Sequence, residues 1–174
     1  TEWDFLRQWS ESDNMVDILL LAGEGGLGKT RLALEWASEL RSEGWYAGFL
    51  GKGAAGGNFA PFRDGRTPRL VIIDYAESRT DELSLLFLQI HPVWSRQQTL
   101  AAKGPSPAAT GPVIRIMLLT RKTSEWWDGF KKRDSAAEDL LACCSSTRAL
   151  STLDMDAGDR GRLFDNALAA LKAL

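Results

Sequence analysis

Eight consecutive residues, Gly23-Glu24-Gly25-Gly26-Leu27-Gly28-Lys29-Thr30, constrain this chain more than any others. Their spacing is G-x-x-x-x-G-K-[ST]. An apolar run, Met15–Ala22, leads into them, and a helical pattern leads out. Glycines let a loop turn successive backbone N–H groups inward with no side chain in the way. The helix that starts at the loop aims its free N–H groups and positive dipole end at the same space. A strand, loop and helix of this composition is built to hold a row of phosphates. The candidate nucleotide contacts are therefore Gly23, Glu24, Gly25, Gly26, Leu27, Gly28, Lys29, Thr30 and Arg31. Lys29 is expected to reach the β- and γ-phosphates as a point charge, and the Thr30 hydroxyl to be a ligand of Mg2+.

Beyond the loop, strand and helix patterns alternate. Trp3, Phe5, Leu6 and Trp9 have the spacing of a short amphipathic helix within residues 1–14. Met15–Ala22 reads as the first strand, nearly continuous in apolar residues like a parallel strand covered on both faces. Gly28–Arg41 reads as a helix burying Leu32, Ala33, Trp36, Ala37 and Leu40, with Gly44 as its stop. Trp45–Leu50, Leu70–Asp74, Val113–Thr120 and Arg148–Leu153 complete a set of five apolar strands. Helices are expected from Thr80 to Ile90, from Ala136 to Cys144 and from Asp156 to Leu174. Residues 51–68 and 95–112 read as surface loops rich in Gly or Pro. Such alternation implies a three-layer α/β fold around a parallel sheet, with the ligand at the carboxyl ends of the strands.

Two further charged residues fall on that edge. Asp74 ends the run Leu70-Val71-Ile72-Ile73, where a carboxylate can hold magnesium beside Thr30. Arg121 follows Ile116-Met117-Leu118-Leu119-Thr120, where a guanidinium can reach a γ-phosphate. Hydrolysis also needs a group that orients water. Tyr75, next after Asp74, cannot act as a carboxylate; Glu77 stands two residues on and is the candidate, with a solvated loop carboxylate as the equal alternative.

The chain has 174 residues, enough for one domain with a substantial core. No apolar run approaches the roughly 18 residues of a membrane span. A net charge of −2 gives no support to a nucleic-acid surface. Trp126 and Trp127, followed by Lys131, Lys132 and Arg133, read as one core tryptophan and a solvated basic face more than as a nucleic-acid contact. Cys143 and Cys144 carry no metal-ligand spacing, and read as buried or half-buried thiols of a reducing cytoplasm. His91, just before Pro92, reads as a helix-end residue. A start at Thr1 and an apolar stripe in the last helix suggest a piece of a longer protein.

With these residues laid out, the chain resembles the nucleotide-binding domain of bacterial STAND-class signalling ATPases, related to the NB-ARC and NACHT groups. The likeness rests on the loop Gly23–Thr30, on Leu118-Leu119-Thr120-Arg121, and on the tail Leu150-Ser151-Thr152-Leu153 with Arg162-Leu163-Phe164. Leu70-Val71-Ile72-Ile73-Asp74-Tyr75-Ala76-Glu77 is closer to bacterial than to plant members. The resemblance implies a P-loop NTPase domain over 1–153, with sheet order 5-1-4-3-2, and the start of a helical lid or linker over 154–174. It also implies a switch, quiescent with ADP and opened by ATP, that assembles into homo-oligomers together with downstream domains of the same chain. Lys29, Asp74, Glu77 and Arg121 would be its catalytic set, with Thr30 and Asp74 holding Mg2+. A scaffold that binds nucleotide without hydrolysing it, and less readily a small-molecule kinase, remain open. ATP is favoured over GTP because no Asn-Lys-x-Asp motif is present.

Overall fold

The computed structural model describes residues 1–54, 66–101, 112–123 and 125–150. Five parallel strands form one sheet. They are β1 (Val16–Ala22), β2 (Tyr46–Phe49), β3 (Arg69–Ile73), β4 (Ile114–Thr120) and β5 (Ser145–Ala149), in the order β2-β3-β4-β1-β5. This is the order expected above. β1 lies between β4 and β5, with Val16 opposite Ile114 and Ala22 opposite Thr120.

Side chains of β1, β3 and β4 alternate between two apolar faces, as the period of a strand dictates. One face carries Ile18, Leu20, Val71, Ile73, Ile116 and Leu118. Against it pack α3 (Thr80–Ala101), α4 (Glu125–Lys131) and α5 (Ser135–Cys144). The other face carries Leu19, Leu21, Leu70, Ile72, Met117 and Leu119. It is covered by α1 (Glu2–Ser10) and α2 (Lys29–Ser42). Trp36 of α2 is fully buried, with Trp3 edge-on at 5.1 Å and its indole N–H donated to the Ser10 hydroxyl at 3.2 Å.

One residue of the middle strand breaks the apolar run. Arg115 of β4 has no exposed surface. Its guanidinium donates to the carbonyls of Trp9 and Ser10 at 3.2 Å, Ser12 at 2.7 Å and Asn14 at 2.8 Å. These are the carbonyls left over where α1 ends and the chain turns toward β1. A planar fork of donors suits them, and the positive charge faces the negative end of the helix. Burial pulls the Arg115 pKa down from its ordinary value, and the Asp17 carboxylate offsets part of that. Ion pairs of Arg148 with Glu2, at 3.0 Å, and of Arg7 with Glu39, at 3.1 Å, hold the rest of α1 in place.

Several expectations are corrected. α3 does not stop at Ile90; it runs 22 residues to Ala101, through Pro92. A proline inside a helix removes the hydrogen bond to the carbonyl four residues back. That residue is Leu88, half exposed, where water can serve the carbonyl. Past the proline, Val93 and Trp94 still pack on the core, and that packing outweighs the lost bond. His91 therefore sits inside the helix, with Nε2 2.9 Å from the Asp139 carboxylate. The last strand lies at Ser145–Ala149, not 148–153, and it is not apolar. As an edge strand it alternates between exposed and half-buried residues. β2, at the other edge, exposes Tyr46 and Phe49 at its ends and half-buries Ala47 and Gly48 between them. Cys143 is exposed, neither buried nor half-buried. The tail over 154–174, most of the loop over 51–68 and much of the 95–112 segment lie outside the described residues.

Candidate functional site

The carboxyl ends of β1, β3 and β4 meet at one edge of the sheet, and there a pocket of about 330 Å³ opens. Its wall includes Gly25, Gly26, Gly28, Lys29, Thr30 and Arg31 from the loop and the start of α2. Asp74, Tyr75 and Glu77 come from the turn after β3, and Arg121 from the end of β4. Gly23, Glu24 and Leu27 line an adjoining hollow of about 450 Å³ between the loop, Lys122 and Leu150. Residues separated by almost a hundred positions in the chain are thus brought to one cavity.

The loop is shaped by its glycines. Gly26 and Gly28 have φ of +85° and +78°, a region that side chains avoid. A Cβ on Gly23 would stand 3.0 Å from the Leu27 side chain and 3.1 Å from the Leu150 carbonyl. Gly28 is the N-cap of α2 and offers no side-chain acceptor. The first N–H groups of that helix are therefore left to whatever fills the pocket. Lys29 curls under the loop, where its ammonium donates to the carbonyls of Gly23, at 2.5 Å, and Glu24, at 2.8 Å. Arg31 turns along α2 to Glu35, at 2.8 Å.

At the centre, the Thr30 hydroxyl donates to the Asp74 carboxylate at 2.9 Å. The other carboxylate oxygen of Asp74 accepts the Tyr75 N–H, also at 2.9 Å. Tyr75 is the only described non-glycine residue with a positive φ, at +55°. It reverses the chain into a short 3-10 turn, Ala76–Ser78. Glu77 lies on that turn with one carboxylate oxygen buried and unpartnered. The Arg121 guanidinium sits 5.6 Å from the centre of the Tyr75 ring.

Among the described residues no cluster of three or more His, Cys, Asp or Glu could hold a metal by itself. A hydroxyl and a carboxylate in direct contact fit a different arrangement. Magnesium keeps several waters and takes one or two protein oxygens beside those of a phosphate. Thr30 and Asp74 offer that donor set. The contact between the Tyr75 ring and Arg121 escaped the sequence reading; an aromatic residue directly after Asp74 was the available signal. On α4, Trp127 is buried and Trp126 half-buried, and Lys131 pairs with Asp128 at 3.3 Å; just past the helix, Arg133 pairs with Asp81.

Solved structures with a similar fold include a DNA replication initiation factor, at a TM-score of 0.58 and 13% identity, over 98% of this chain and 50% of that one. Another is AMPPCP-bound DnaA from Aquifex aeolicus, at 0.56 and 12%, over 98% of this chain and 51% of that one. The Aeropyrum pernix ORC2 protein, in ADPNP–ADP complexes, aligns less closely, at 0.44 and 15% over 84% and 44%. The chain spans about half the length of the first two. No protein-family model and no curated protein matches it. Sheet order, loop and structural likeness together define the class: an α/β domain with the fold of P-loop ATPases.

Proposed function

We propose that this domain binds ATP with Mg2+ and hydrolyses it slowly, as the nucleotide switch of a STAND-type signalling protein. The observation that carries the reading is the direct contact between Thr30 and Asp74 beneath the glycine loop. Both residues line the pocket, with Thr30 exposed and Asp74 half-buried. Bound there, Mg2+ would draw charge from the β- and γ-phosphate oxygens. The loop N–H groups and the start of α2 hold the phosphates in place. Lys29 exchanges its loop carbonyls for phosphate oxygens. Glu77, which lines the same pocket, accepts a proton from water or orients it. Arg121 meets the γ-phosphate and so distinguishes ATP from ADP.

Slow turnover follows from Tyr75. The position beside Asp74 holds no carboxylate, which leaves Glu77 alone to manage the water. The signalling role rests on the motifs quoted above. A cytoplasmic setting, nucleotide-dependent homo-oligomers and further domains of the same chain come with it. The one fold neighbour described with bound AMPPCP agrees with a nucleotide ligand. A scaffold that binds nucleotide and never cleaves it is the second reading, and Tyr75 is what favours it.

Calorimetric titration with ADP and ATP in magnesium tests the first step. Binding is expected in the micromolar range, and Lys29→Ala is expected to weaken it at least about tenfold, the scale of one charge-assisted contact. Single-turnover hydrolysis then separates the two readings. Release of phosphate that Glu77→Gln abolishes supports the switch, whereas no release at all supports the scaffold.

A further inference from the structure

Resting on the nucleotide-site reading above, we propose that Tyr75 is a positioning residue. Its ring seats the Arg121 guanidinium at the pocket so that the domain separates ATP from ADP. The geometry starts with the backbone. Left-handed φ is costly for a residue with a side chain, and most of all for a bulky one. Here it is held by local bonds. The Tyr75 N–H goes to Asp74, and the Tyr75 carbonyl accepts both the N–H and the hydroxyl of Ser78, each at 2.9 Å. An extended residue would continue the line of β3. The left-handed one turns the chain back, and its ring meets Arg121 at the end of β4.

Arg121 needs such a support. It is exposed, and among the described residues no carboxylate pairs with it; its contact is the Tyr75 ring at 5.6 Å. A free arginine side chain samples many rotamers, and each must be given up when it meets a phosphate. A carboxylate at position 75 would also have fixed it, but by occupying its N–H groups and cancelling its charge. An aromatic face holds the cation without doing either. The five donors lie in the guanidinium plane and stay available to phosphate oxygens. Both side chains line the same pocket as Thr30 and Asp74. ADP lacks the phosphate that Arg121 would meet, so the benefit of a pre-set guanidinium falls to ATP alone.

The test is a calorimetric comparison of ADP and a non-hydrolysable ATP analogue, with magnesium, on six proteins. These are the wild type, Tyr75→Phe, Tyr75→Asn, Arg121→Ala, the Tyr75→Asn/Arg121→Ala double variant and Lys29→Ala. Asparagine tolerates the left-handed backbone but has no ring. Tyr75→Asn is expected to weaken the ATP analogue about two- to fivefold, the scale of one exposed cation–ring contact, and to leave ADP unchanged. Tyr75→Phe should behave as wild type, and Tyr75→Asn should add nothing once Arg121 is gone. A parallel loss of both ligands in Tyr75→Asn would overturn the proposal and point to disturbance of Asp74. Additive losses in the double variant, or a Tyr75→Phe loss equal to that of Tyr75→Asn, would overturn it too. Failure of the nucleotide-site reading looks different: the wild type binds neither ligand, or Lys29→Ala binds as well as wild type.

Discussion

Arg115→Ala is expected to lower the thermal unfolding midpoint by on the order of 10 °C, from a loss of about 3–5 kcal/mol. The size comes from what the substitution leaves behind. Four carbonyls around the end of α1 would lose their donor inside the protein, and each buried orphan costs about 1–3 kcal/mol. A cavity the size of a guanidinium would open beside them. Arg115→Lys restores the charge but not the fork, so it should recover only part of the loss. Scanning calorimetry checks the midpoint. Nucleotide titration at low temperature should be unaffected, because Arg115 lies near the start of β4 and the pocket at its far end. A midpoint within 2 °C of wild type, by the same ratio of about 2–4 °C per kcal/mol, would mean that water replaces the guanidinium.

Asp74→Asn should remove the magnesium dependence of ATP binding. An asparagine oxygen can still accept the Thr30 hydroxyl or the Tyr75 N–H, so the turn after β3 should survive. What disappears is the charge. Addition of Mg2+ is expected to tighten ATP binding to the wild type and to have little effect on the variant. The gap should be about tenfold to a hundredfold, the range for hydrogen bonds and contacts to charged groups. Titrations in magnesium and in chelator, on both proteins, measure it. Equal responses to the ion would remove Asp74 from the metal site.

Much of this was legible before the structure. Periodicity located α1, α2 and α5, and the apolar runs located β1, β3 and β4, because burial on both faces leaves little room for polar residues. Sheet order came from the resemblance and not from spacing, since no local signal says which strands become neighbours. Three features were hidden for physical reasons. Pro92 reads as a stop, and only the tertiary contacts of Val93 and Trp94 carry the helix past it. β5 is an edge strand with a polar sequence, so the apolar criterion missed it and shifted the strand downstream. Arg115 was passed over inside Ile114–Thr120, although a lone charge within a buried strand is itself a sign of unseen partners. At the site, Thr30 was read from the loop motif, Asp74 and Arg121 from the ends of apolar runs, and Glu77 from its place two residues past Tyr75 with a solvated loop carboxylate as the equal alternative; all four line the pocket. The ring of Tyr75 under Arg121 depends on one backbone angle, and no residue pattern specifies it.

The glycines of the loop share a letter but not a constraint. Gly23 is crowded: a methyl group there would press on the Leu27 side chain and the Leu150 carbonyl just past β5, and both would have to give by a few tenths of an ångström whether or not anything is bound. Gly26 and Gly28 have room but an angle that alanine resists, so the harm is strain carried at all times. Gly25 has neither limit: a Cβ there meets nothing within 4 Å, and its φ is not positive. Selection on the free protein alone has no reason to keep glycine at that position. Gly25→Ala is therefore expected to leave thermal unfolding unchanged while weakening nucleotide binding, if phosphate passes where the methyl would stand. That single position would separate a loop kept for its own shape from one kept for the outline of its ligand.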